Sequence, residues 1–114
     1  MRDDRPYIHY ILDCIDRVQS YCKSGERAFF AETLIQDAVL RNLQTLAEST
    51  QRISDRLKAS HPEIDWRAIS GFRNVLVHDY LGLNLVRFWE IVSVHLPLLR
   101  SQLEAIQSEM GSRD

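Results

Sequence analysis

Apolar residues recur along the chain at steps of three and four, which is the period of an α-helix. The first series follows Asp4 and Pro6, which predict a helix cap and a first helical turn. Its members are Ile8, Ile11, Ile15, Val18 and Cys22. Ser24-Gly25 interrupts the series and predicts the end of this helix.

The longest apolar series lies between Glu26 and Leu57. One stripe contains Ile35, Val39, Leu43 and Leu46, and it is broadened by Leu34, Ala38, Leu40 and Ala47. An apolar arc of this width is typical of a helix in the middle of a bundle. Because the series is longer than a usual globular helix, we expect a break near Phe30–Glu32 or near Glu48–Thr50.

Two further helical segments follow a connector at Ser60–Glu63. Asp65 is placed to cap a helix that begins at Trp66, and Asn84 is placed to cap the next one. Pro97 predicts a new start or a kink in the last segment. The residues expected to line these helices are Ile69, Phe72 and Leu76, then Val86, Trp89, Ile91 and Val92, and finally Leu99, Leu103, Ile106 and Met110.

Together these segments predict an all-α fold, an up-and-down bundle of about five helices with short connections. A length of 114 residues fits a single domain over residues 1–114, with the end from Gly111 expected to fray. The first helix and the helix after Asn84 carry apolar arcs too broad for one small bundle to bury. This surplus predicts a homodimer.

The charge balance is nearly even, with 14 Lys and Arg residues against 16 Asp and Glu residues. A net charge of -2 argues against nucleic-acid binding by bulk electrostatics. No apolar run reaches the roughly 18 residues of a membrane span, and the charged start does not resemble a signal peptide. On a helix Cys14 and Cys22 lie about 12 Å apart, too far for a disulfide. We therefore expect reduced cysteines and a cytoplasmic protein without a membrane partner.

The segment with the most chemistry is Arg73-Asn74-Val75-Leu76-Val77-His78-Asp79-Tyr80, at the end of a predicted helix. With an ordinary pKa near 6.5, His78 can take a proton from a ribose 2′-hydroxyl or give one to a leaving oxygen. Arg73 can hold the phosphate, and Tyr80 can donate to phosphate or stack on a base. A helix cap, a salt bridge and a packed ring would account for the same three side chains, so both interpretations stay open at this point.

The spacing of these residues restricts how they can meet. On an unbroken helix Arg73 and Tyr80 share a face, but His78 lies about 140° round from Arg73. Convergence therefore requires either local unwinding near Val77 or His78, or a second subunit that completes the site. Gly82 makes a local turn feasible.

The pattern Arg73-Asn74-x-x-x-His78-x-Tyr80 resembles the R-x(4–6)-H signature, extended to H-x-Y, of the HEPN superfamily. More narrowly, the chain resembles the HepT-like toxins, the partners of minimal nucleotidyltransferase (MNT) antitoxins. The likeness covers about residues 2–103. It includes the segments Met1-Arg2-Asp3, Gln36–Leu43, His61–Phe72 and Trp89-Glu90.

This resemblance implies a HEPN helical bundle that forms a homodimer with its cleft at the interface. It implies a metal-independent endoribonuclease without a cofactor, in which Arg73 and His78 are catalytic and Asn74 is a polar neighbour that binds substrate. It also implies that Tyr80 contacts the RNA and is the tyrosine to which the antitoxin transfers AMP. Phosphates on a phenol beside the cleft would block the cleft and repel RNA.

Two alternatives remain beside this interpretation. One is a non-catalytic helical dimer that binds a nucleotidyltransferase partner and a nucleotide, and the other is a plain dimeric scaffold. The chain also departs from the family at Leu46-Ala47-Glu48-Ser49, where many relatives have Ile-Gly-Glu-Ala. Loss of that glycine alters close helix packing but does not touch the motif.

Other side chains are assigned ordinary roles. His9, His61 and His95 lack metal-ligand spacing, so we expect a solvated His61, a packed His95 and no metal site. Trp66 and Trp89 fall on helical stripes and are expected in the core. We expect the acidic residues Glu32, Asp37 and Glu48 on a solvent-exposed helix face. Asp79 could orient His78, and its role is left open.

Overall fold

The computed structural model describes residues 3–78 and 84–112. The helices are α1 (Arg5–Tyr21), α2 (Glu26–Ala31), α3 (Thr33–Gln51), α4 (Asp55–Ser60), α5 (Trp66–His78), α6 (Leu85–Glu90) and α7 (Leu96–Ser112), with a π-helical turn (Ile91–His95) between α6 and α7. The described residues contain no β-strand, so the predicted all-α fold is confirmed.

Four long helical segments alternate in direction: α1, α3, α5 and the continuous segment from α6 to α7. The start of α1 lies beside the end of α3, since Asp4 bonds Ser54. Along α5 and α7, Glu63 bonds Gln102 and the ring of Phe72 faces that of His95. This arrangement is an up-and-down bundle. The short helices α2 and α4 bring the described total above the expected five.

Helix α3 lies in the middle of the bundle, as its broad apolar arc predicted. It packs against α1 on one side and α5 on the other. Its buried positions include Val39, Leu40, Leu43, Leu46, Ala47 and Thr50. Ala47 is fully buried, so its methyl group is accommodated in this core.

The long second stretch breaks at Glu32, within the first of the two expected places. Glu32 is extended, and Gln36 Nε2 donates to the carbonyl oxygens of Phe29 and Phe30 at 3.0 and 3.3 Å. That amide satisfies carbonyls left open at the end of α2. The stretch ends again at residues 52–54, after α3 has run through the other expected place, Glu48–Thr50.

The predicted caps of α5 and α6 are confirmed. The carboxylate of Asp65 accepts from the Ala68 N–H at 2.9 Å, and the amide oxygen of Asn84 accepts from the Arg87 N–H at 3.2 Å. Gly25, at the predicted end of the first helical series, has φ +96, a left-handed conformation that favours glycine.

The predicted capping role of Asp4 is wrong. Asp4 directly precedes α1, but its side chain caps nothing there. Its carboxylate is 8% exposed and accepts from the Ser54 N–H at 2.8 Å and the Ser54 hydroxyl at 2.7 Å. Asp4 therefore bonds a residue 50 positions away in the sequence, at the point where the start of α4 lies beside the start of α1.

Pro97 stands in the first turn of α7, directly after the π-helical turn. Proline has no N–H to donate to the preceding turn, so the wider turn lies where the α-helical bonding pattern is interrupted. Beyond it Leu99, Leu103 and Ile106 are buried, and Met110 packs against the core, as predicted.

The connector before α5 is held more tightly than the sequence suggested. His61 was expected to be solvated, but its side chain is only 19% exposed. Its Nδ1 lies 3.0 Å from Glu63 Oε1, and its Nε2 lies 3.8 Å from Glu109 Oε2 of α7. The His61 carbonyl also accepts from the Trp66 indole at 3.0 Å.

Trp66 and Trp89 are both partly buried and pack against the core, as expected. The ring of Trp89 lies 5.3 Å from that of Phe29, which ties α6 to α2. Cys14 is buried and Cys22 half-buried; both are free, and burial raises the pKa of each thiol.

Removing the Asp4 carboxylate is expected to destabilise the fold. Asp4→Ala breaks two hydrogen bonds to a charged acceptor, so we expect a loss of about 2 kcal/mol in the free energy of unfolding. Urea denaturation followed by circular dichroism measures it. Asp3→Ala, at an exposed carboxylate one residue earlier, is the matched control and should change stability little. Equal effects of the two variants would contradict a specific Asp4–Ser54 contact.

Acid is expected to weaken the connector through Glu63. Its own backbone N–H, followed by His61, holds the pKa of this carboxyl below its ordinary value of 4.5. A depressed pKa stabilises the fold fully above that ordinary value, and the contribution is lost as pH falls through the folded-state pKa.

In Glu63→Gln the free energy of unfolding should therefore decrease less than in wild type as the pH is lowered from about 6 to about 3. Urea denaturation at each pH measures this difference. Glu48→Gln is the matched control, because Glu48 is exposed on α3. A Glu63→Gln profile that overlays the wild-type profile would count against this role.

Candidate active site

The motif residues fall on the last turns of α5. Arg73, Asn74 and His78 all belong to this helix, which is described over Trp66–His78. Asp79, Tyr80 and Gly82 lie outside the described residues, so the roles assigned to them stay predictions. The sequence therefore placed three of the chemical groups on the correct element.

Helix α5 is anchored by its first half. Asp65 caps its start, the Trp66 indole donates to the connector, and Ile69 and Phe72 are buried in the common core. This anchoring leaves the half that carries the motif to extend toward the end of the bundle where α2 and α6 lie. The backbone position of Arg73 follows directly from the burial of Phe72, its neighbour in the chain.

The helix is unbroken from Trp66 to His78. Positions 73 and 78 are therefore separated by about 140° around the axis and about 7.5 Å along it. One route to convergence considered above is unwinding near Val77 or His78, and the helix continues through Val77 to His78, the last residue described before the gap. The route through a second subunit remains a prediction.

Helix α7 and the π-helical turn contact the α5 region through three polar residues. The His95 ring lies 6.2 Å from that of Phe72, Gln102 Nε2 donates to the Glu63 carbonyl at 3.0 Å, and Glu109 lies beside His61. These three positions are seven residues apart and so share one face of the helical segment. Gln102 and Glu109 therefore hold the connector that leads into α5, and His95 lies beside Phe72 of α5 itself.

His95 is the residue near the motif helix that sequence reasoning did not locate. Its ring lies beside that of Phe72, in line with the expectation that His95 packs. Its side chain nevertheless remains 44% exposed, and its Nε2 lies 3.7 Å from Glu90 Oε1. His95 is far from Arg73 in the sequence, so no local pattern could predict that the two helices bring them near each other. Only the antiparallel course of α5 and α7 places His95 beside the motif helix.

The remaining chemical candidates do not form a site within the described chain. The acidic residues lie exposed on α3 or directly before it, on the solvent-exposed face that was expected: Glu32, Asp37 and Glu48. Over residues 3–78 and 84–112, no three His, Cys, Asp or Glu side chains are grouped so as to hold a metal ion. In the same part of the chain, no helix combines the length and apolar character needed to cross a membrane.

Several curated proteins are similar to this chain over most of its length. One from Methanocaldococcus jannaschii, named as a gamma-glutamylcyclotransferase and candidate RNase, is 27% identical over 110 residues, 96% of this chain and 50% of that protein. A probable ribonuclease HepT of Thermococcus cleftensis is 27% identical over 107 residues, 93% of this chain and 97% of that protein. A candidate RNase of Caldanaerobacter subterraneus is 26% identical over 107 residues, 93% of this chain and 96% of that protein.

The chain thus spans half the length of the first relative and nearly all of the other two. No solved structure matches it. A family model described as Ribonuclease HepT-like matches residues 11–106, which include α5 and the whole Arg73–Tyr80 segment. With this match over most of its length, and with the all-α bundle and the motif at the end of α5, the chain belongs to the HepT-like ribonuclease family.

Proposed function

We propose that this chain is a metal-independent endoribonuclease, the toxin of a toxin–antitoxin pair. The observation that carries the proposal is the complete Arg73-Asn74-x-x-x-His78-x-Tyr80 motif, which begins on α5 in a chain of the HepT-like ribonuclease family. The relatives' names support RNA as the substrate class. The reaction needs no cofactor, because imidazole and guanidinium supply its acid–base and electrostatic parts.

In this mechanism His78 removes the proton of a ribose 2′-hydroxyl, whose oxygen attacks the adjacent phosphorus. A new P–O bond forms at the 2′ position while the bond to the 5′-oxygen breaks, and the proton that His78 took from the 2′-hydroxyl passes to that leaving oxygen, which returns His78 to its neutral form. Arg73 does not titrate near neutral pH, so its role is to hold the phosphate and stabilise charge in the transition state. Asn74 and Tyr80 bind the substrate beside it.

The pair Arg73 and His78 is proposed to work in a homodimer with its cleft at the interface. The support is geometric, since two positions about 140° apart on one unbroken helix do not face a common point. Each copy is proposed to be a single domain over residues 1–114. A location in the cytoplasm fits the two free cysteines.

Tyr80 is proposed as the point of control by an MNT-type nucleotidyltransferase antitoxin. Its phenolic oxygen attacks the α-phosphorus of ATP, pyrophosphate leaves, and the phenol proton is released. The product carries added negative charge two residues from His78, where it repels the RNA backbone and fills the cleft. Silencing then needs no change in the bundle.

Removing His78 is expected to abolish cleavage. Purified wild-type protein incubated with RNA and a chelator should cut it, and His78→Ala should cut about 10²–10⁴-fold more slowly. Arg73→Ala should lose a similar factor through the transition state. His9→Ala is the matched control, since His9 is exposed on α1, where its Nε2 lies 3.7 Å from Asp13 Oδ2 of the same helix.

Wild-type rates in His78→Ala would refute the assignment of His78. A wild-type protein that cuts no RNA but binds ATP or AMP would instead favour the non-catalytic dimer, which partners a nucleotidyltransferase and presents a nucleotide. Without either activity, the scaffold interpretation would stand.

Replacing Tyr80 is expected to prevent silencing. When wild type is incubated with ATP and a nucleotidyltransferase encoded next to it, its mass should rise by one or more adenylyl groups and its RNA cleavage should stop. Tyr80→Phe should stay unmodified and active, because it has no phenolic oxygen. Tyr10→Phe, at an exposed tyrosine of α1, is the control and should be modified like wild type. Modification of Tyr80→Phe would place the acceptor elsewhere.

A further inference from the structure

The outward side of α5 brings one arginine into line with two positions of the motif. Ile69 and Phe72 are buried and mark the side of α5 that faces the core. Arg67 lies about 150° round the axis from them and is exposed. Because α5 is unbroken, positions 67, 71, 74 and 78 lie within about 60° of one another around its axis. We call this row the outer track, and it consists of Arg67, Gly71, Asn74 and His78.

Gly71 leaves bare backbone in the middle of the outer track. A β-carbon added at this position would meet no atom of the described residues within 4 Å, the backbone of its own helix apart. Glycine inside a helix makes the fold less stable than alanine would, because glycine loses more conformational freedom on folding. Packing within the described chain therefore does not account for this glycine. Its bare backbone allows close approach by a molecule from outside the chain.

The two acidic residues nearest to Arg67 in the sequence have other partners. The carboxylate of Asp65 accepts from the Ala68 N–H at 2.9 Å, and Glu63 Oε1 lies 3.0 Å from the Nδ1 of His61. A guanidinium matches the geometry of a phosphate, to which it can donate two parallel hydrogen bonds. The outer track therefore has a phosphate-binding group at one end and the two motif positions at the other.

The length of the outer track matches a short stretch of RNA. Along the axis of α5, position 67 lies about 10 Å from position 74 and about 16 Å from position 78. Successive phosphates of a stacked strand rise about 3.4 Å, so 16 Å corresponds to about five stacked nucleotides, and to fewer in an extended strand. Arg67 is therefore at the distance of a phosphate a few nucleotides away from one held at His78.

We propose that the substrate RNA lies along the outer track, with its backbone over Gly71 and one of its phosphates bound by Arg67, a few nucleotides from the phosphate that is cleaved. This course of the strand rests on the proposed function, because it takes the bound RNA to be the substrate of His78. Arg67 binds the strand away from the reacting atoms. It therefore strengthens the binding of RNA without accelerating the chemical step.

Binding of an uncleavable strand tests the contact of Arg67. A 2′-O-methyl RNA of about ten nucleotides is longer than the outer track and, without a free 2′-hydroxyl, stays intact. Arg67→Gln should weaken its binding about tenfold. The slope of log affinity against log salt concentration should become shallower by about 0.7, the change for one lost phosphate contact on a single strand. Arg17→Gln, at an exposed arginine of α1, is the matched control and should bind like wild type. Wild-type affinity and slope in Arg67→Gln would overturn the proposal.

A variant of Gly71 tests the course of the strand by two measurements. Gly71→Ala should unfold about 4 °C higher than wild type, because alanine favours the helix and its methyl group meets open space. It should also bind the uncleavable RNA at least about threefold more weakly, since the methyl group keeps the RNA backbone away from the helix. A more stable Gly71→Ala with wild-type affinity for RNA would overturn the proposed course.

Cleavage kinetics separate the outer track from the proposed function. In Arg67→Gln the KM for RNA should rise about tenfold while kcat changes less than about twofold, because the lost contact is the same in the ground state and the transition state. If wild type cuts RNA and Arg67→Gln has the same KM, the proposed function stands and the track is overturned. If wild type binds the uncleavable strand through Arg67 but cuts no RNA, the track stands and the ribonuclease proposal fails. Wild type that neither binds nor cuts RNA overturns both.

Sedimentation tests whether the outer track contacts protein instead of RNA. Arg67→Gln and Gly71→Ala should both keep the oligomeric state of wild type, because both residues are proposed to face the RNA. A changed oligomeric state in either variant would show that this side of α5 binds another protein chain, and it would overturn the proposal.

Discussion

The burial of α3 is the constraint on which the rest of the structure depends. Its buried positions run over a wide arc, from Val39 to Thr50, so it needs apolar cover on two sides. Helices α1 and α5 provide that cover, and α7 closes the bundle against α1. Because α5 is held against α3 by Ile69 and Phe72, the motif that follows Phe72 is fixed in direction by the core.

Apolar packing positions the helices, but polar contacts between distant residues set their level along one another. Asp4 joins the starts of α1 and α4, and Gln102 joins α7 to the connector through the Glu63 carbonyl, 39 residues away. A hydrogen bond has a narrow range of length and angle, whereas an apolar contact tolerates sliding. These contacts therefore hold α5 and α7 at one relative height, with the Phe72 ring level with that of His95.

The sequence predicted what local patterns determine. The three–four periodicity located the long helices, and the caps at Asp65 and Asn84 were correct because each bonds an N–H three residues ahead in its own helix. It failed where a side chain has a distant partner. Asp4 has the residue type and position of a cap, yet it bonds Ser54, and His61 reaches Glu109. No local pattern contains such pairs.

The candidate site shows the same difference between what local sequence patterns predict and what tertiary contacts determine. Arg73, Asn74 and His78 were placed on the correct helix from sequence, since only helical continuity was needed. How their side chains meet is a tertiary or quaternary question, and for that reason the spacing alone left two routes open. The unbroken α5 excludes unwinding between Trp66 and Val77, and the second subunit stays a prediction.

The charge of the chain bears on how such a site can work. At a net charge of -2 per chain, a dimer carries -4, which gives no long-range attraction for RNA. In the proposed dimer, affinity then comes from a few groups at the cleft, to which each copy is proposed to contribute Arg73. Local guanidinium–phosphate contacts are short and directional, so they can hold a scissile phosphate without binding long stretches of backbone. A nuclease built in this way also responds strongly to a few negative charges added at Tyr80, because little other binding energy opposes them.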